Sequence, residues 1–332
     1  MNRTHIKELD SLRAIAVGLV FIQHWNVAGL GHFYTGGWGV RFFFVLSGFL
    51  ITGILLNSRE RIESGSSLSE ELKTFYIRRT LRIFPVYYLV LTLVAFLALP
   101  GFHQNLPWHV LYGSNIRYSL DGHWPQTASH LWSLAVEEQF YLLWPAMIFL
   151  LPRRVVLPAI VALITFAPVF RHVIRLSSGH HIAAMTLMPG CLDSLGIGAL
   201  LAYARHQKMD TSAWSLPLLA TGLPILAIDL EFGLALIGAG VVNVVTNASG
   251  SRLMSFLRID PICYLGTISY GLYLYHPFIY QLLLPYDLPG KLLICTAATI
   301  GIAAVSWESF EKPILRLKGR FAYKASSAVT AQ

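Results

Sequence analysis

The chain has 332 residues, of which 55% are hydrophobic and only 13% charged, and its mean hydropathy is +0.57. A soluble domain carries about 25% charged residues, so a water-soluble globular protein is excluded and a polytopic membrane protein is expected. The net charge of +8 would suggest nucleic acid in a soluble protein; here membrane topology accounts for it and no nucleic-acid partner is expected.

The first apolar stretch is ELDSLRAIAVGLVFIQHW, Glu8 to Trp25. Asp10 and Ser11 supply N-cap oxygens at its polar entry. The apolar helix that follows carries Arg13 and His24. Their separation is close to three turns at 3.6 residues per turn, so they share one face, about 16 Å apart along the axis. An ionisable residue inside a membrane helix is a functional candidate by default, because lipid tolerates it only at a cost. The stretch contains Arg and His and no small-residue cleavage site follows it, so no signal peptide is expected.

Ten stretches are long enough to cross about 30 Å of hydrocarbon. They are approximately 12–31, 37–56, 84–102, 131–151, 155–172, 182–204, 215–229, 231–247, 262–284 and 291–310. With the N-terminus in the cytoplasm, nineteen of the 25 Lys and Arg fall on the inner side, from Arg3 to Lys324. Four lie outside (Arg117, Arg171, Arg175 and Lys291), and Arg13 and Arg41 lie in or at helices. This asymmetry is the positive-inside pattern. It predicts an all-α integral membrane protein, a bundle of about ten transmembrane helices with both termini cytoplasmic. Residues 1–315 form the membrane domain, and 316–332 form a basic, then Ser/Ala-rich tail expected to be disordered. Cys191, Cys263 and Cys295 are scattered in apolar context and read as core packing, with neither disulfide nor metal role.

The inner loop 57–83 ends in Arg78-Arg79-Thr80-Leu81-Arg82. Planar, always-charged guanidinium groups grip phosphates, but on spacing alone the cluster reads first as an ordinary anchor on anionic lipid. The outer loop 103–130 is rich in His and Trp. Its spacings match no standard ligand motif, and interfacial aromatics are expected at a membrane surface, so no metal is expected. His24 lies near or beyond mid-membrane, where a neutral imidazole suits a general base; taken alone it reads first as a hydrogen-bonded bundle residue. Two stretches change that balance. GGWGVRFFFVLSGFLI begins at Gly36 and carries Arg41, Ser47 and Gly48; HLWSLAVEEQFYLLWP begins at His130 and carries Trp132, Glu137 and Glu138. The adjacent carboxylates point about 100° apart on a helix, and a histidine or arginine on a neighbouring helix is the natural partner of one of them. Asp193 is a further intramembrane carboxylate. His276-Pro277 is expected to break the ninth stretch, with the proline freeing a backbone carbonyl. So many polar positions imply a polar cavity, without separating an enzyme from a transporter.

Taken together, LDSLRAIAV with its Arg13 and His24, GVRFFFVLSGFLI, RRTLRIFPVYY, LWSLAVEEQFYLLWP, CLDSLGIGALLA, ISYGLYLYHP and the closing FEKP resemble the membrane-bound acyltransferase-3 family, which includes bacterial O-antigen and exopolysaccharide O-acetyltransferases. The resemblance runs from about residue 5 to 315. It implies transfer of an acyl group, most often acetyl, from acyl-CoA to a carbohydrate hydroxyl. Acetyl-CoA would be a co-substrate, with no permanently bound cofactor. His24 would be catalytic, Arg13 its motif partner and Glu137 its support. Arg79 and Arg82, with Arg78 beside them, would hold the donor's phosphates. Asp10, Ser47, Trp132, Asp193 and His276 are assigned to substrate binding. Some family members carry a fused extracytoplasmic SGNH domain; none is expected in this chain.

The expected mechanism has acyl-CoA docking from the cytoplasm and His24 deprotonating a sugar hydroxyl that arrives from the outer side. Membrane lipids and a polysaccharide, lipopolysaccharide or lipid-linked saccharide acceptor are the other expected partners, in a bacterial inner membrane. The alternative is a polytopic transporter of a sugar-lipid or polysaccharide precursor, which polar residues at mid-depth and broken helices also fit. A structural subunit of an export complex is a third reading.

Overall fold

The computed structural model describes residues 6–27, 30, 33–321 and 323, and among them every regular element is helical. In chain order the helices are α1 (Lys7–His24), α2 (Thr35–Glu63), α3 (Leu68–Phe96), α4 (Phe102–Val110), α5 (Ser114–Asp121), α6 (Leu131–Leu150), α7 (Arg153–Ser178) and α8 (His181–Thr186). They continue as α9 (Leu192–His206), α10 (Ser215–Ile225), α11 (Leu230–Asn247), α12 (Asp260–Thr267), α13 (Ser269–Leu283), α14 (Lys291–Ser306) and α15 (Lys312–Arg316). A π-helical turn, Trp307–Glu311, joins α14 to α15.

Among the described residues five helical segments are long and apolar enough to cross a membrane: Thr35–Glu63, Leu68–Phe96, Arg153–Ser177, Leu230–Asn247 and Lys291–Phe321. α1 and α6 are comparable in length, at 18 and 20 residues. They carry Lys7, Glu8, Asp10 and Arg13 in one case, and Glu137, Glu138 and Gln139 in the other. The polar residues that make these two helices interesting also dilute their apolar length.

The helices depart from the expected stretches in several places; the seventh, 215–229, holds only the 11-residue α10, and the outer loop 103–130 contains α4 and α5. The inner loop expected over 57–83 is only a short turn, because α2 runs on to Glu63 and α3 starts at Leu68. Arg, Glu, Leu and Lys are good helix formers, so charge ended the apolar stretch without ending the helix. The arginine cluster therefore lies inside α3 and not at a helix entrance. The sixth stretch is broken: a 3-10 turn over Met188–Cys191, with Pro189 at its start, separates α8 from α9. The ninth breaks at Ile268 and not at Pro277, which α13 carries within its length. The expected tail beyond Tyr323, like Arg3 and residues 28–29 and 31 of the first stretch, lies outside the described residues.

Around a buried apolar core, some helices expose apolar faces that a soluble bundle would cover. α7 and α14 turn apolar side chains outward, with Val169 59%, Leu176 74%, Leu293 77% and Val305 67% exposed. Lipid tails are as apolar as Leu, so such faces need no covering protein, and helix association rests on close packing. α2 and α9 supply it. A Cβ at Gly48 would stand 1.9 Å from the Leu195 carbonyl oxygen, and one at Gly198 would stand 2.0 Å from the Val45 carbonyl oxygen. Each glycine admits the other helix's backbone.

Gly48→Ala should therefore lower the thermal unfolding midpoint in detergent by the equivalent of about 1–3 kcal/mol or more, the usual cost of overpacking. Gly53→Ala, on the same helix with nothing within 4 Å of the added carbon, should leave the midpoint unchanged or raise it. An unaltered midpoint for Gly48→Ala would contradict this contact.

Candidate active site

A cavity opens between α1, α2, α3, α6 and α13, lined among others by Arg13, Ser47, Arg79, Arg82, Glu137, Glu138, Tyr141 and Tyr273. Five helices far apart in sequence thus contribute to one polar space. Arg79 and Arg82 are three residues apart and share a helix face. Arg79 lies over the rings of Phe75 (6.0 Å) and Tyr141 (5.4 Å). Arg82 lies over Trp307 (5.6 Å), which the π-helical turn presents to it. Among the described residues neither arginine makes an ion pair with a carboxylate. Arg13 is tethered to Asp10 one turn back, which leaves Asp10 as an anchor for Arg13.

Arg78 has a different fate. Its Nη1 donates to the carbonyls of Lys318 and Phe321, both at 3.0 Å. Tyr323 lies 4.4 Å from the Arg61 guanidinium and 5.4 Å from that of Arg78. Part of the segment expected to be a loose tail is thus folded onto α3, with Leu317–Phe321 forming a 3-10 turn. Arg78 anchors that segment and does not line the cavity, unlike Arg79 and Arg82.

Glu137 meets Ser47, whose hydroxyl donates a short hydrogen bond to its Oε1. Ser47 Oγ also lies 3.1 Å from the Tyr141 hydroxyl. Glu137 was expected to support His24, but the structure does not bring the two together. The partner of His24 is His276: Nδ1 of His24 and Nε2 of His276 are 2.6 Å apart. His276 is fully buried, and its Nδ1 is 2.7 Å from the Tyr273 carbonyl oxygen. His130, also buried, completes a cluster of three, its ring centroid 5.5 Å from that of His276 and 6.5 Å from that of His24. Nothing in the aromatic loop that ends at His130 marked it for this cluster. Among the described residues no three ligand-type side chains converge on a metal-binding geometry.

His24 is half-buried and does not line the cavity. Tyr273 joins the two regions. Its ring lines the cavity, and its hydroxyl contacts Ser133 Oγ at 2.6 Å and donates to the His130 carbonyl at 3.0 Å. Its own carbonyl holds His276.

Besides Asp10 and His276, two more residues assigned to substrate binding lie outside the cavity. Trp132 packs its ring edge-on against Phe44, with centroids 5.9 Å apart. Asp193 is fully buried between Arg41 (3.5 Å) and Arg171 (2.7 Å). Arg171 continues to Asp229 at 2.7 Å, and Arg175 reaches Glu231 at 2.9 Å. Three arginines and three carboxylates thereby close a neutral network across α2, α7, α9 and the start of α11. An ion inside an apolar bundle requires such partners, which is why Asp193 is drawn there and not toward the cavity.

A helical bundle with membrane-length apolar helices, a basic inner cavity and an adjoining histidine cluster defines the class. The chain belongs to the acyltransferase-3 family: the family's acyltransferase-domain profile matches residues 6–308. Similar curated proteins include the peptidoglycan O-acetyltransferase OatA of Listeria monocytogenes, 28% identical over 94% of this chain and 56% of that protein. The putative peptidoglycan O-acetyltransferase YrhL of Bacillus subtilis is 28% identical over 94% of the chain and 55% of its own length. The O-acetyltransferase OatA of Staphylococcus aureus is 29% identical, over 95% and 58% respectively. The chain thus spans a little over half the length of these relatives. No solved structure matches it.

Asp193→Asn should leave Arg41 and Arg171 short of a countercharge. The expected loss is about 3–5 kcal/mol of stability, read as a lower unfolding midpoint in detergent whether or not any substrate is present. A midpoint equal to that of the unaltered protein, with activity lost, would return Asp193 to a substrate role.

Proposed function

We propose that this chain is the membrane part of an O-acyltransferase. It takes an acyl group, acetyl by analogy with the names of its relatives, from acyl-CoA and passes it to a hydroxyl of a cell-wall saccharide. The observation that carries this reading is the placement of Arg13, Arg79 and Arg82 around one cavity, with His24 three turns along α1 from Arg13. The arginines suit the anionic end of the donor, and the length of α1 between Arg13 and His24, about 16 Å at 1.5 Å per residue, suits its extended arm. Tyr273 lines the cavity and touches His130 and His276, and in this reading its hydroxyl leaves Ser133 as the thioester meets the acceptor.

At His24 the acceptor's hydroxyl proton passes to the imidazole as its oxygen attacks the acyl carbon. The C–S bond breaks, and the CoA thiolate takes the proton back from His24. Glu137, bonded to Ser47 within the cavity, shapes the donor site in this reading and does not act as the partner of His24. In the proposed setting about ten helices span the bacterial inner membrane with both termini in the cytoplasm. Donor and acceptor then approach from opposite faces, and CoA never crosses. The relatives' names favour a peptidoglycan acceptor over lipopolysaccharide, and family membership favours acyl transfer over transport.

The test is mass spectrometry of cell-surface glycans from cells with and without the chain, looking for the mass of one acetyl group. His24→Ala should reduce that signal by a factor of about 10²–10⁴, the usual contribution of a general base; retained acetylation would end this mechanism. Arg79→Ala and Arg82→Ala should each raise the acetyl-CoA concentration required by about tenfold or more, the worth of one charge-assisted hydrogen bond.

A further inference from the structure

We infer that His276 is a positioning residue that fixes the tautomer of His24, and that Pro277 is part of the same device. The inference rests on the reading of His24 as the base. It begins with an atom whose role is not open to choice. A carbonyl oxygen only accepts, so His276 Nδ1, 2.7 Å from the Tyr273 oxygen, carries the hydrogen. His276 is fully buried, and among the described residues no carboxylate pairs with it or with His24. The titratable groups facing it are His24, His130 and Tyr273. A lone buried charge is costly, so the imidazole is neutral and its Nε2 is an acceptor. His24 Nδ1, 2.6 Å away, must then donate. The two rings lie within 9° of parallel with centroids 4.9 Å apart, which suits a bond directed along the in-plane lone pair. His24 Nε2 is left without a hydrogen and, among the described residues, without a partner. It is the nitrogen that would take the acceptor's proton.

The chain makes the Tyr273 carbonyl available by a local rule. In an α-helix the carbonyl of residue i accepts from the N–H of residue i+4. For Tyr273 that residue is Pro277, which has no N–H. The freed oxygen is the one that His276 holds. A His-Pro pair inside a helix therefore supplies both the second imidazole and the acceptor that sets its tautomer. This is the role that a buried carboxylate performs in a serine-hydrolase triad, carried here by a neutral group that a membrane interior admits more cheaply. When His24 becomes an imidazolium, its Nδ1–H bond to His276 strengthens.

The test uses the full-length protein in lipid nanodiscs with 15N-labelled histidine, alongside the glycan acetyl signal from cells that produce each variant. In the unaltered protein the His24 ring should show a protonated Nδ1 and a bare Nε2. His276→Leu should convert His24 to the other tautomer or to a mixture, and should lower acetylation by about 10- to 100-fold, the usual cost of losing an orienting partner. His276→Gln, whose side-chain oxygen can accept from His24, should keep the tautomer and most of the acetylation. Pro277→Ala, which restores a competing N–H, should weaken both. A bare Nδ1 in the unaltered protein, or a His24 tautomer untouched by His276→Leu, would overturn the inference. So would equal loss of acetylation in the Leu and Gln variants with the tautomer kept in both. Failure of the wider mechanism is recognised separately, by normal acetylation in His24→Ala, while the nitrogen spectra report on the hydrogen bond alone.

Discussion

Arg41 and Arg171 are both completely buried, and each has found the carboxylate of Asp193. That pairing expresses the constraint under which the whole bundle is built. An unpaired ion in a low-dielectric interior costs far more than a helix contact contributes. Two kinds of arginine deep in the protein show the contrast. One kind is neutralised in the α2, α7, α9 and α11 network, and there the charges hold helices together. The other kind, Arg79 and Arg82, rests on aromatic faces without a carboxylate partner among the described residues. A cation left in that state lines a cavity and is free to meet an incoming anion.

The same distinction explains which residues could be read in advance. Arg13 and His24 share a face because helical periodicity alone places them there. Ser47, Glu137, Arg79 and Arg82 were each suspect as polar residues in apolar surroundings, and all four line the one cavity. Asp193 raised the same suspicion by the same signal, yet it serves the ion network. A lone carboxylate in an apolar stretch cannot announce its partner. Arg82 is three residues from Arg79 and four from Arg78, so helical spacing allows either pair. What decides between them is the C-terminal segment that lands on Arg78, a contact between residues some 240 positions apart.

The partner of His24 was the least legible feature. A carboxylate is the commonest companion of a catalytic imidazole, and Glu137 was available on a neighbouring helix. His276 lies 252 positions from His24, and a proline beside it reads most simply as a helix break. α13 instead runs through Pro277, and the lost hydrogen bond appears as a free carbonyl on the inner face of the helix. The expectation that Pro277 frees a backbone carbonyl was sound. What that oxygen does depends on a side chain one residue away, which a pattern of apolar and polar positions does not encode.

Tyr273 shows how the two regions can communicate without disturbing one another. Its hydroxyl belongs to the cavity, bonded to Ser133 and to the His130 carbonyl. Its backbone oxygen belongs to the histidine pair. Rotation about the side-chain torsions moves the first and leaves the second in place, because the helix fixes the backbone independently of χ1. Moving the Tyr273 side chain would therefore break two hydrogen bonds of ordinary strength, each with a net worth of about 1 kcal/mol. It would not release His276 from the carbonyl that orients it. In the proposed reaction a donor arm entering from the arginines would displace the ring, and His24 beyond it would keep its tautomer throughout.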